Sequence, residues 1–222
     1  MVRLTYFGHA AFQLEHEGTV LLFDPFFTGN TWEKAKPEDI TCQYIFISHA
    51  HGDHYGDAEA IAKANDALII STAEVAHKAE EGGCKAHALH LGGKYDFPFG
   101  YVRLVPAFHG SGVPGGHAAG CIVNFYGTVI YFAGDTSFYS DMKLHNRFEP
   151  IDYALLPIGD NFTMGIEDAA LAASYIQAKT TIPIHYGTWP VIDKDPEDFK
   201  QLAEEKYQVS VRIIAPGTNA EL

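Results

Sequence analysis

The sequence predicts a layered α/β protein, folded as a single domain over residues 1–222. Three observations point there. The opening third is a run of short apolar or alternating segments, as in a β meander. The remainder alternates strand-like and helix-like stretches in two similar halves. No low-complexity linker or shift in composition divides them, and strand–helix alternation after a meander fits a sandwich of sheets and helices.

The meander is "VRLTYFG", "AAFQLEHEG" and "TVLLFD", broken at Gly8–His9 and at Gly18. "QYIFIS" is a continuous apolar run, the pattern of a strand buried on both faces. "DAEAIAKAN" has helical spacing, "DALIIS" returns to strand, and "TAEVAHKAEEGG" reads as a helix capped by Thr72 and closed by Gly82–Gly83. The second half gives strands at "YVRLVPAFH", "GCIVNFYG", "TVIYFAGD", "DYALLPIG", "TTIPIHYG" and "VSVRIIAPG". Helices are expected at "TSFYSDMKLHNRF", "GIEDAALAASYIQA" and "DPEDFKQLAEEKY", the last with Pro196 in its first turn.

Composition narrows the function. With 47% hydrophobic and 19% charged residues the chain is an ordinary globular protein. Its 15 Lys+Arg against 28 Asp+Glu, a formal charge of −13, is the wrong sign for a nucleic-acid scaffold. Cys42, Cys84 and Cys121 form no CxxC pair, so neither a disulfide framework nor a thiolate zinc knuckle is suggested. No apolar stretch approaches the ~18 residues of a membrane span. "MVRLTYFGHAAFQLE" lacks a charged region followed by an apolar one. The expectation is a cytoplasmic protein acting on a small molecule, without nucleic-acid or membrane partners, with self-association left open.

The twelve histidines are the compositional oddity. "FISHAHGDHYGD" crowds His49, His51, Asp53 and His54 into six positions directly after the buried strand. It is either a polar loop rich in histidine or half of a metal site. His109, Asp135 and His185 each stand just past the end of a predicted strand, where α/β folds build sites on rigid supports. His49 and His51 alternate and can point the same way. Beyond Gly52, read as a small hinge, Asp53 and His54 can reach the other side of a metal centre. Imidazole and carboxylate ligands suit Zn²⁺, Mn²⁺ or Fe, and such a set can hold two ions bridged by one carboxylate and a hydroxide.

These residues resemble the metallo-β-lactamase superfamily. Its HxHxDH signature stands here as His49-Ala50-His51-Gly52-Asp53-His54, followed in order by His109, by Asp135 in "FAGDTS" and by His185 in "IPIHYGTW". The resemblance implies a four-layer αββα sandwich with the site at one edge. It implies one metal on His49, His51 and His109, another on Asp53, His54 and His185, and Asp135 bridging them. "TYFGHAAF", "LFDPFFTGN" and "PIGDNFTMGIEDA" resemble the UPF0173-type metal-dependent hydrolases, relatives of the UlaG-type lactonases. The expected activity is hydrolysis by a hydroxide bridging two divalent ions, Zn or Mn. A small ester or lactone is the first choice of substrate and a phosphodiester the second. A non-catalytic, metal-dependent ligand-binding protein is the reading of another class.

Around this set, further residues carry two readings each. His9 is an active-site group that holds substrate or shuttles a proton, or a plain hairpin histidine. Asp53 shares the proton-transfer role. Asp24 is a carboxylate that orients a ligand histidine, or a turn residue before Pro25. Asp135 could instead cap a helix starting at Thr136 or Ser137. Asp160, Asn161, Thr163 and Met164 form a helix-entry loop, read as a cleft rim that touches substrate. The Gly-rich segment 110–120 is either a mobile lid or a plain turn. His16, His77, His87, His90, His117 and His145 are read as surface or structural.

Overall fold

In the computed structural model, which describes residues 1–32 and 34–222, apolar alternation resolves into two sheets. The first contains β1 (Arg3–Gly8), β2 (Ala11–His16), β3 (Thr19–Phe23), β4 (Tyr44–Phe46), β5 (Leu68–Thr72), β6 (Lys85–Leu89) and β13 (Thr218–Glu221), ordered β13-β1-β2-β3-β4-β5-β6. The second contains β7 (Lys94–Phe97), β8 (Gly100–Pro106), β9 (Ala119–Phe125), β10 (Thr128–Phe132), β11 (Tyr153–Pro157) and β12 (Thr180–Ile184), ordered β12-β11-β10-β9-β8-β7. The meander β1–β3 is antiparallel, whereas β3, β4, β5 and β6 run parallel, with α-helices in the crossovers from β4 to β5 and from β5 to β6.

Three apolar cores make four layers. Phe12, Phe23, Phe46, Phe125 and Phe132 fill the space between the sheets. Helices α2 (Ala58–Asn65) and α3 (Ala73–Glu81) cover the first sheet through Ile61, Val75 and Ala79. Helices α4 (Ile166–Ile176) and α5 (Pro196–Tyr207) cover the second through Ala169, Ala173 and Phe199. A strand with helix on one side and sheet on the other needs apolar residues on both faces, which is why β4 reads as a continuous apolar run. This is the four-layer αββα sandwich that the sequence resemblance implies.

Four local expectations change. "VSVRIIAPG" pairs with its neighbour only through a bridge between Thr181 and Val211, and the closing strand lies later, on the free edge of β1. Strands β6 and β7 carry mostly exposed or half-exposed residues, so hydrophobic patterning does not reveal them. Ser140–Arg147 forms a 3₁₀ rather than an α-helix. Thr72 occupies the N-cap of α3, but its hydroxyl donates to the His117 carbonyl oxygen at 3.3 Å instead of capping.

Candidate active site

The seven predicted ligands converge at one end of the sandwich. Strand β4 delivers His49, whose amide neighbour Ala50 is held by the Ser111 carbonyl at 2.7 Å. The chain then turns through α1 (Gly52–Tyr55), a single helical turn with His51 at its N-cap. That turn, rather than hinging at Gly52, rotates Asp53 and His54 to the far side. His109 follows β8, Asp135 follows β10 and His185 follows β12. Gly134 allows Asp135 its place: its φ is +60°, and a Cβ there would stand 2.9 Å from the Ser48 Cβ.

Two triads result. His49, His51 and His109 offer ligand atoms within 4.8 Å of one another, as do Asp53, His54 and His185 together with His9. Asp135 lies between them. Its Oδ2 is 3.2 Å from His54 Nε2, 3.2 Å from His185 Nε2 and 3.6 Å from His109 Nε2. It caps no helix, since residues 136–139 are not helical. The seven residues predicted from the sequence are thus brought together, with His9 beside the second triad.

Polar contacts behind the ligands set their tautomers. Asp24, fully buried, accepts from the Ser48 amide at 2.7 Å, from Ser48 Oγ at 2.5 Å and from His54 Nδ1 at 2.7 Å. Ser48 Oγ, its proton committed to Asp24, accepts from His49 Nδ1 at 2.9 Å. His49 and His54 therefore both turn an unprotonated Nε2 toward the centre when neutral, and one carboxylate orients a histidine in each triad. Asp24 is not merely a turn residue. Ser48, which the sequence reading passes over, is the link, adjacent to the motif it serves.

His9 is wholly buried. Burial, then the neighbouring His185, pushes its pKa down to about 3, so it is neutral at physiological pH. Its Nε2 lies 3.1 Å from Asp53 Oδ2 and its Nδ1 lies 2.8 Å from Thr188 Oγ1. With Asp53 ionised, Nε2–H donates to the carboxylate and Nδ1 accepts from the Thr188 hydroxyl. That tautomer has no lone pair left for a metal, so His9 acts on Asp53. Thr188, three residues past His185, was not foreseen. His9, Asp24 and His185 all adopt left-handed backbone conformations, with φ of 58°, 38° and 56°. Such strain in residues other than glycine persists only where the surroundings enforce it, and it gathers at functional sites.

The donor set fits divalent cations on two grounds. His54 Nε2, His185 Nδ1 and Nε2, and Asp135 Oδ1 are buried without a hydrogen-bond partner among the described residues, which is costly unless something else satisfies them. The charge states are also those of ligands. Burial lowers the pKa of His49 and of His109, leaving their imidazoles neutral. Burial opposes ionisation of Asp135, but His185 and His54 hold it well below the usual carboxylate range. His54 shows the counterpart: burial opposes its protonation, yet Asp135 and Asp24 raise its pKa well above the ordinary value. The centre demands positive charge, which a cation supplies as well as a proton does.

Above the ligands lies a cavity of about 500 Å³ lined by Phe26, His51, Gly52, Asp53, His109, Asp135, Phe162 and Trp189. The loop expected at its rim contributes differently from the reading. Met164 is fully buried in the core under α4 and is no rim residue. Asp160 faces an adjacent groove, paired with Lys194 at 3.1 Å. Asn161 is exposed, and Thr163 turns its hydroxyl back to the Met164 carbonyl at 3.2 Å. Phe162, which the reading skips, lines the cavity. Two successive left-handed residues, Asp160 and Asn161, with the Asp160 amide bonded to the Met164 carbonyl at 3.0 Å, fold the loop so that Met164 goes in and Phe162 out. The 110–120 segment is packed down: a Cβ on Gly112 would stand 2.5 Å from the Ala50 carbonyl carbon.

Comparison with known proteins agrees with this geometry. A family model for the β-lactamase superfamily domain matches residues 3–185, a span that holds all seven predicted ligands. A UPF0173 metal-dependent hydrolase of Natranaerobius thermophilus is 47% identical over 221 residues, with both chains covered completely. A UPF0173 metal-dependent hydrolase of Bacillus velezensis is 44% identical, again over both full lengths. Among solved structures, Igni18, a metallo hydrolase from the archaeon Ignicoccus hospitalis, superposes with a TM-score of 0.92 at 34% identity, covering 100% of this chain and 99% of that one. Fold, ligand order and relatives of the same length thus converge, and the chain belongs to the metallo-β-lactamase superfamily, among its UPF0173 metal-dependent hydrolases.

Proposed function

We propose that the chain hydrolyses small, uncharged esters, cyclic esters above all, with two divalent ions, Zn²⁺ or Mn²⁺, held by the two histidine triads and shared through Asp135. The observation that carries the choice of substrate is the wall of the cavity. Phe26, Phe162 and Trp189 form it, and no Lys or Arg is among its described lining residues. A phosphodiester's negative charge would be met by the two ions alone, without a guanidinium or ammonium beside them. An apolar ring or acyl chain is suited to aromatic walls.

When bound, the ions lower the pKa of a water held at the centre and polarise the scissile carbonyl. The protein supplies the rest. Asp24, through Ser48 and directly, keeps His49 and His54 in the tautomer that ligates. His9, anchored by Thr188, fixes the Asp53 carboxylate beside the cavity. Asp53 is the group placed to carry a proton to the leaving alkoxide, for which geometry comes before pKa. Phe162 and Trp189 hold the apolar part of the substrate and keep bulk water from the reacting bond.

The test is metal analysis of protein purified without added metal, followed by assays with γ- and δ-lactones, p-nitrophenyl esters and bis(p-nitrophenyl) phosphate. The expected result is lactone or ester turnover that disappears in a folded Asp135→Asn variant together with metal. Phosphodiester turnover without ester turnover would replace the substrate class. Fully metallated protein that turns over none of them would favour a binding role.

A further inference from the structure

A second cluster of metal-type ligands lies outside the catalytic centre. Glu74, in the first turn of α3, meets His90, in the turn between β6 and β7, and His117, in the segment leading to β9. One ligand atom from each lies within 4.8 Å of the others. The imidazoles are exposed and their ring centroids are 5.6 Å apart. Glu74 is half-buried, and its Oε2 is sealed from solvent with no hydrogen-bond partner among the described residues. A carboxylate oxygen in that position is missing a cationic or protic neighbour. Gly116 packs closely enough on Glu74 that an added Cβ would stand 3.2 Å from the Glu74 Cβ, so backbone helps to hold the carboxylate beside the histidines.

We propose that Glu74, His90 and His117 form a separate site for a divalent transition-metal ion, zinc above all, that staples the 107–118 segment to the body of the protein. Two imidazoles and one carboxylate, with a water in the fourth position, make up a donor set that zinc accepts readily. The three ligands come from three places: α3 behind the first sheet, the crossover from the first sheet to the second, and the segment that carries His109. An ion on them ties both sheets to that segment at the end of the sandwich where the active site lies. The Thr72 hydroxyl bond to the His117 carbonyl already brings the segment there. Loading ends one local contact, since His90 Nδ1 accepts from the Leu91 amide at 2.9 Å. Coordination through Nδ1 replaces that bond, and coordination through Nε2 moves the ring proton onto Nδ1. The site needs nothing from the catalytic reading.

The test compares the full-length chain with a His90→Ala/His117→Ala double variant. Both are dialysed against micromolar Zn²⁺, their metal content is measured by mass spectrometry, and their folds are compared by circular dichroism. The wild type is expected to hold one more equivalent than the folded variant, whatever number the catalytic centre holds. With Co²⁺ as the probe, the wild-type-minus-variant spectrum is expected to carry the visible bands of a low-coordinate site. Glu74→Gln, nearly isosteric, is expected to weaken that equivalent by roughly tenfold or more, by comparison with the loss of even outer partners of a metal site. Equal metal content in wild type and folded double variant overturns the proposal. If the double variant does not fold, His117→Asn alone is compared in the same way, and unchanged Zn²⁺ content there overturns it equally.

Discussion

Asp24→Asn probes the network behind the ligands. The side chain is fully buried, and all three of its hydrogen-bond partners are donors: the Ser48 amide, Ser48 Oγ and His54 Nδ1. An asparagine keeps the shape but brings an NH₂ against at least one of them. In the Oδ1 position the NH₂ meets the Ser48 amide, and in the Oδ2 position it meets both Ser48 Oγ and His54 Nδ1, which share that oxygen. A hydrogen bond to a buried charged group contributes about 1.5–3 kcal/mol. Outer partners of metal ligands change affinity by about 10–100-fold, which is roughly 1.4–2.7 kcal/mol and agrees with that range. Because Ser48 passes the orientation on to His49, the loss falls on both triads. Competition against a chromophoric zinc chelator is expected to show both ions weakened by about 10–100-fold, with circular dichroism unchanged. Ser48→Ala, which leaves His54 its bond, is expected to loosen the His49 triad more than the other. Wild-type affinity at both sites in a folded Asp24→Asn protein would refute the view that this carboxylate sets the ligand tautomers.

Two further outcomes follow from the same geometry. Phe162 is 54% exposed in the free protein, so a substrate that covers it gains about half of the ~1.5–3 kcal/mol for burying a phenyl side chain, and Phe162→Ala should raise KM by roughly three- to tenfold for an apolar lactone. Met164→Ala, in the core beneath it, should instead cost about 2–5 kcal/mol in urea unfolding and leave KM near wild type, and the reverse pattern would contradict the assignment of the loop. The metal-free protein should be most stable near pH 6.5. Below that, unfolded imidazoles take up protons that buried His9, with its pKa lowered to about 3, refuses, so stability falls between pH 6.5 and about 3, at about 1.4 kcal/mol per pH unit for each such histidine. His49 and His109, also lowered by burial, add in the same direction. Above pH 6.5, His54 keeps in the folded state a proton that the unfolded chain has released, so its contribution fades as pH rises toward its raised pKa. Denaturant titrations of the chelated protein at acid, neutral and alkaline pH check this, and a stability that only rises with pH would contradict the His54 assignment.

Much was legible in the sequence for physical reasons. A strand buried on both faces must be apolar throughout, so β4 announced itself, and the ligand cluster had to begin where it ended. Imidazole and carboxylate at strand ends, in an order spread over most of the chain, marked seven candidate ligands that the fold brings to one centre. Period alone could not reveal β6 and β7, because exposed edge strands carry no hydrophobic alternation. It missed the closing strand because Thr218–Glu221 owes its pairing to the free edge of β1 rather than to its own composition.

Other features belonged to tertiary structure alone. Which of two nearby loop residues faces the cavity depends on two left-handed residues, Asp160 and Asn161; the sequence reading points to Met164 where the fold presents Phe162. Asp24 stayed ambiguous because its meaning lies in Ser48 and His54, 24 and 30 positions away. The residues proposed to hold a metal could be read from the one-dimensional order of their donor chemistry. The residues that orient those ligands, and the walls that select a substrate, depend on distances between segments that only the packed sandwich brings together.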